Sequence, residues 1–182
     1  MLFRSLTFDD GPHPTITPFV LDCLKEYRAK ATFFCIGKNV ADNPGIYARI
    51  LEEGHRTGNH TYRHLNAKKT GDEEWLKDIR DASLLIDSDL FRPPYGRIKR
   101  FGAKALLSAN PPYRIILWDV LSGDFDEGLT GEVCAKKVID HARAGSIVVF
   151  HDSEKALPRL KVALPLVLKY FSEKGFGFEA IK

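Results

Sequence analysis

The sequence predicts an α/β fold with parallel strands, and three observations predict it. Strand-like and helix-like segments alternate from one end of the chain to the other. The stretches between strands carry apolar residues at helical spacing, so helical crossovers join successive strands and leave them parallel. No linker, internal repeat or low-complexity stretch divides the 182 residues, so one domain is expected across residues 1–182, large enough to bury a substantial core.

Residues 2–8 read as the first strand. Thr17 offers an N-cap with Pro18 at the first helical position, and Val20, Leu21, Leu24 and Tyr27 form a helical stripe behind them. Residues 31–36 are a short apolar run stopped by Gly37, a buried strand. Asn43 before Pro44 repeats the cap-plus-proline start, for a helix that closes at Gly54. Further strands are expected at residues 55–59, 90–92, 114–118, 146–150 and 177–181. Trp75, Leu76, Ile79, Ala82, Leu85 and Ile86 define one helical face between them, and Val133, Val138, Ile139 and Ala142 another, opened by Thr130. The last helix carries Leu160, Leu164, Val167, Leu168 and Phe171, with Pro165 an obstacle at which it can split. Seven such units in 182 residues fit either a compact, irregular barrel or an open doubly wound sheet.

Composition narrows the function. A net charge of +3 is too small for a nucleic-acid binder, which needs a concentrated basic stripe. The local clusters Lys68-Lys69 and Arg97 with Lys99-Arg100 read as solvated loops. No apolar run is long enough to span a bilayer, and no charged-then-apolar leader opens the chain. Cys23, Cys35 and Cys134 make no CxxC pair and fall within apolar patterns, as buried small hydrophobes do. Four cysteine ligands for a structural zinc site are not there.

Parallel β/α folds build their sites at the carboxyl ends of the strands, and the unusual polar residues fall there. Asp9 and Asp10 follow the first strand, His60 and His64 the third, Arg92 the fourth, Asp124 the fifth, and His151 with Asp152 the sixth. His60 and His64 are four apart, so one helical turn would put both imidazoles on one face. A lone histidine is more often structural than a ligand, and Asp9-Asp10-Gly11-Pro12 alone would read as a turn. Two histidines beside two carboxylates favour a metal. Two imidazoles and one carboxylate leave a position open, as in catalytic zinc sites. A non-haem iron oxygenase uses the same trio, but usually on an antiparallel fold. The second carboxylate favours hydrolysis, because it is free to take a proton from water. His13, His55 and His141 read as loop, structural and surface residues, and Trp75 as core.

Five elements then stand in one order: Thr7-Phe8-Asp9-Asp10-Gly11-Pro12, His60-Thr61-Tyr62-Arg63-His64, Arg92-Pro93-Pro94-Tyr95-Gly96, the stretch from Trp118 to Phe125, and Ile147-Val148-Val149-Phe150-His151-Asp152. Over nearly its whole length the chain resembles the polysaccharide deacetylases of carbohydrate esterase family four, the NodB-homology domain. The resemblance implies an irregular (β/α)7 barrel, with Asp10, His60 and His64 holding a divalent metal, zinc foremost and cobalt, nickel or manganese as alternatives. It implies Asp9 as general base held by Arg92, His151 as general acid, Asp124 as the residue that orients it, and the Tyr95 backbone N–H as part of an oxyanion hole. The fourth element departs from the family pattern: Leu121 stands where an aspartate is common, and Phe125 replaces a tryptophan. Asp119 and Asp126 are therefore alternatives to Asp124. Trp118, Val149 and Pro94 are candidates for substrate contact, with Val148 beside them.

The implied substrate is an acetylated glycan: peptidoglycan, a chitin-like oligomer, poly-N-acetylglucosamine or acetylated xylan. The expected enzyme is a monomer with no nucleic-acid partner, at work in the cell envelope or outside the cell. The missing leader leaves the cytoplasm open. A small-amide hydrolase or deformylase on the same fold is the first rival. An inactive carbohydrate-binding module is the second, and the presence of Asp9, Asp10, His60, His64 and His151 argues against it.

Overall fold

The structure, a computed structural model, describes residues 3–182, with side chains from residue 5 onward. Leu2, where the sequence starts the first strand, lies outside the described residues. In chain order the elements are β1 (Phe3–Asp9), α1 (Ile16–Glu26), β2 (Ala31–Cys35), α2 (Gly37–Asp42), α3 (Pro44–Glu52), β3 (Arg56–Asn59), α4 (Asp72–Ser83) and β4 (Leu90–Phe91). A 3-10 turn (Pro94–Gly96) follows, then α5 (Arg100–Leu107), β5 (Arg114–Ile115), β6 (Val120–Leu121), α6 (Gly131–His141), β7 (Ile147–His151), α7 (Leu157–Glu173) and β8 (Gly177–Phe178).

Seven strands lie in the order β5-β4-β3-β2-β1-β7-β6, every pair parallel, in a curled sheet with the helices around it. This is the (β/α)7-type barrel, and the doubly wound alternative falls. The strand β8 pairs only with the start of β1. Among the described residues no ladder joins β5 to β6, so the barrel has a seam.

Register decides which side chains meet. Phe8 lies level with Phe33 and Phe150 and stacks on Phe33 at 5.1 Å, on the face that packs against Val20, Leu21 and Leu24 of α1 and Leu164, Val167 and Leu168 of α7. Each such side chain contributes about 1.5–3 kcal/mol by leaving water. Alternation turns the next residues inward, so Asp9 stands level with Phe34 and His151 inside the barrel mouth.

Several local expectations shift. The helix α1 begins at Ile16, ahead of the expected start at Pro18, with Thr15 at the N-cap; Thr17 lies inside the helix and its hydroxyl donates to Asp152. Thr130 does cap α6, accepting the Val133 N–H. The helices α2 and α5 answer to no element that the sequence predicts; α2 follows β2 directly, and α5 buries only Gly102 and Leu106. The expected fifth strand is short, and residues 116–119 run irregularly into β6. Pro165 does not split α7: Leu160, Ala163 and Leu164 before it and Val167, Leu168 and Phe171 after it are all buried. That stripe outweighs the roughly 3 kcal/mol a mid-helix proline costs. The three cysteines are free thiols, with Cys35 and Cys134 buried. No helix among the described residues is long and apolar enough to cross a membrane.

Candidate active site

A cavity of about 450 Å³ opens at the carboxyl ends of the strands, lined by Asp9, Asp10, His60, His64, Tyr95, Trp118, Phe125 and His151 among others. Asp9 ends β1 and His151 ends β7, while His60 and Arg92 directly follow β3 and β4.

The two histidines meet, but not on a helical turn. Residues 60–64 form an irregular loop in which Thr61 (φ 64°) and His64 (φ 59°) are left-handed. Other elements shape that loop. The Asn59 carboxamide accepts the Thr61 N–H at 2.8 Å, and Asp78 of α4 accepts the N–H groups of Tyr62 and Arg63 at 3.0 and 2.9 Å. The imidazoles end 5.0 Å apart. A single helical turn would leave these N–H groups without internal partners as well; here Asn59 and the buried Asp78 answer them.

His60 Nδ1–H donates to the Arg92 carbonyl at 2.7 Å, which leaves the Nε2 lone pair facing the cavity. From Asp10 Oδ1, His60 Nε2 is 3.8 Å away and His64 Nε2 is 3.3 Å away. Ligands of a tetrahedral zinc with bonds of about 2.0–2.2 Å sit about 3.4 Å apart, so the three donors fit a divalent cation. Burial, helped by the charge of His60, lowers the His64 pKa to about 4, so that ring is neutral and able to ligate.

Asp9 has a separate task. Burial is the largest single influence and would raise its pKa, but the charges of Arg92, His60 and His151 and the Arg92 hydrogen bond together outweigh it, and the net shift is downward. Arg92 Nη1 donates to Asp9 Oδ1 at 2.7 Å, while Oδ2 faces the cavity 3.9 Å from His60 Nε2. Arg92 is fully buried and spends its other donors on Thr7 Oγ1 and the carbonyls of Ile116 and Leu117. Its guanidinium lies 4.0 Å over the Phe34 ring.

Opposite, His151 Nδ1–H donates to Asp124 Oδ1 and the His151 backbone N–H to Asp124 Oδ2, both at 2.8 Å. Burial works against a charged ring here. That influence is the largest single one, but the hydrogen bond and charge of Asp124 and the charges of Asp9 and Asp10 together outweigh it, and the His151 pKa rises to about 9. The alternatives are occupied elsewhere: Asp119 accepts the Ile147 N–H and Asp126 the Gly128 N–H. Tyr95 has φ 60°, and its ring lies 4.7 Å from that of His64.

Residues 4–110 match the polysaccharide deacetylase family. The chain belongs to that family. It is 37% identical over 183 residues to a peptidoglycan-N-acetylglucosamine deacetylase of Bacillus cereus, covering 97% of this chain and 85% of the relative. A chitooligosaccharide deacetylase of Azorhizobium caulinodans is 36% identical over 155 residues, covering 81% of this chain and 72% of the relative. The structure of the peptidoglycan deacetylase PdaC from Bacillus subtilis superposes with a TM-score of 0.88 at 30% identity, over 99% of this chain and 88% of that one.

In this polysaccharide deacetylase, two of the residues expected to touch substrate lie elsewhere. Pro94 and Val149 are buried and outside the cavity lining, and Val148 is buried in the helix-covered core. Trp118 does line the cavity, and its ring packs against Gly96 (φ 63°), where a Cβ would come within 2.7 Å of it. Phe125, in place of the expected tryptophan, sets its ring 5.3 Å from His151, edge to face. Sequence reasoning missed Asp78 and Asn59, which shape the histidine loop. The signal for Asp78 was present: it shares the buried face of α4 with Trp75, Ile79 and Ala82, an acid on an apolar stripe.

Proposed function

We propose that this chain removes acetyl groups from N-acetylglucosamine residues of a glycan, by metal-dependent hydrolysis of the amide. One observation carries the reading: the Asp10–His60–His64 donor cluster adjoins an ionised Asp9, in a cavity whose lining also includes a His151 held as a cation. A divalent ion held by Asp10, His60 and His64 supplies Lewis-acid polarisation of the carbonyl and lowers the pKa of a nearby water.

The chain's own residues do the rest. Asp9 Oδ2 takes the proton from the attacking water, while Arg92 keeps the carboxylate ionised and fixed through Oδ1. The Tyr95 N–H, which takes no partner among the described residues, donates to the developing oxyanion; one such donor is typically worth about 3 kcal/mol. His151 gives its Nε2 proton to the departing amine, its Nδ1 being tied to Asp124. An O-acetyl ester presents the same carbonyl and is a second substrate of the same chemistry.

Relatives named for peptidoglycan and for chitooligosaccharides support a polymer or oligomer of N-acetylglucosamine as substrate, and the former supports action at the cell envelope. Residues 1–182 are read as one catalytic domain, working as a monomer. The test is acetate release from N-acetylglucosamine oligomers and peptidoglycan, with protein stripped by chelator and resupplied with zinc or cobalt, beside Asp9→Ala. Release restored by metal and absent in the variant is expected. Metal binding without release from any glycan would move the assignment to small amides.

A further inference from the structure

We infer that Asp152 is a positioning residue for the metal: its carboxylate fixes the backbone of the turn over residues 9–12, and through it the aim of Asp10. The inference rests on the metal-dependent reading above. Asp152 directly follows β7, is 1% exposed and does not line the cavity. It grips the turn on both sides of Asp10. Its N–H donates to the Asp9 carbonyl at 3.1 Å, and its Oδ1 accepts the Gly11 N–H at 2.9 Å. Its Oδ2 accepts the Thr17 hydroxyl, whose oxygen in turn accepts the His13 N–H, so the grip extends to the start of α1.

Two further contacts complete the hold. Asn39 Nδ2 of α2 donates to the Asp10 carbonyl at 2.7 Å, and the Ile36 N–H donates to the Gly11 carbonyl at 2.9 Å. Asp10 sits at φ 85°, a conformation that a residue with a side chain keeps only when its surroundings impose it. Gly11 has no room for a Cβ, which would fall 2.0 Å from Asp152 Oδ2. An acid buried without a basic partner among the described residues is costly to keep, and a residue serving only to fill space would be apolar. What this acid does is hold two donors that define the turn.

The test measures zinc affinity by chelator competition on the full chain, together with amide exchange at Gly11 in metal-free protein. Asp152→Ala is expected to bind zinc about 10–100-fold more weakly and to lose protection at Gly11. Asp152→Asn retains an oxygen for Gly11 and an NH₂ for the Thr17 oxygen, so it is expected to restore both. Asn39→Ala, which leaves β7 untouched, is expected to weaken zinc binding as well and decides the matter if Asp152→Ala does not fold. A merely structural role would lower Tm and leave zinc affinity unmoved; folded variants binding zinc as tightly as wild type overturn the inference. Wild-type protein that takes up no zinc overturns the metal reading, and this inference with it.

Discussion

Asp9 and Asp10 are neighbours in sequence but face different partners, so substitution should separate their tasks. Asp9→Asn keeps the hydrogen bond from Arg92 but cannot take a proton. It is expected to lower kcat by about 10²–10⁴-fold while zinc affinity, read by chelator competition, stays near wild type. Asp124 is expected to set the alkaline side of the pH profile. The folded-state pKa of His151 is raised from 6.5 to about 9, so the imidazolium persists well above neutrality. Its contribution to stability is full below pH 6.5 and is lost as pH rises through about 9. Asp124→Asn should therefore pull the alkaline limb of kcat/KM down towards neutral pH; a limb that does not move assigns the tuning to another group. At this scale the candidate site residues were legible, because acids and histidines at strand ends are rare enough to stand out, and Asp9, Asp10, His60, His64 and His151 do line one cavity. Asp152 stood among those strand-end residues and Asp78 broke an apolar helical stripe, but neither signal says that the partners are backbone N–H groups of other elements.

Elements show where local rules lose to tertiary ones. The i,i+4 spacing of His60 and His64 suggested a helix, yet the pair is assembled by a loop whose N–H groups are answered by α4. Asp78→Ala strands those donors and should cost about 2–4 kcal/mol, lowering Tm by roughly 4–16 °C in thermal unfolding. Thr17 is a related case: the hydroxyl that looked like a cap serves a buried acid from inside the helix. Pro165 is the opposite case: the sequence suggested a break, and packing holds the helix together. Pro165→Ala should thus raise Tm by a few degrees, recovering part of the ~3 kcal/mol penalty. An unchanged or lowered Tm would show that α7 is already shaped around the ring.

Over the whole molecule, alternation of strands and helices was enough to predict a parallel sheet, but not whether it curls. Closure depends on side chains meeting inside, which periodicity does not report. The donor cluster also ties distant strands to one ion, so metal should stabilise the fold as a whole: zinc at about 100 times its Kd should add roughly 2.7 kcal/mol. Thermal scans with and without chelator check this, and coincident midpoints would count against the site. The seam between β5 and β6 bears on Arg92 in another way. Its guanidinium reaches the carbonyls of Ile116 and Leu117 there, so it stands in for ladder bonds missing among the described residues as well as holding Asp9. Asp9→Asn is thus expected to leave the barrel standing, whereas loss of Arg92 would take away the partner of Asp9 and the bonds to the seam together.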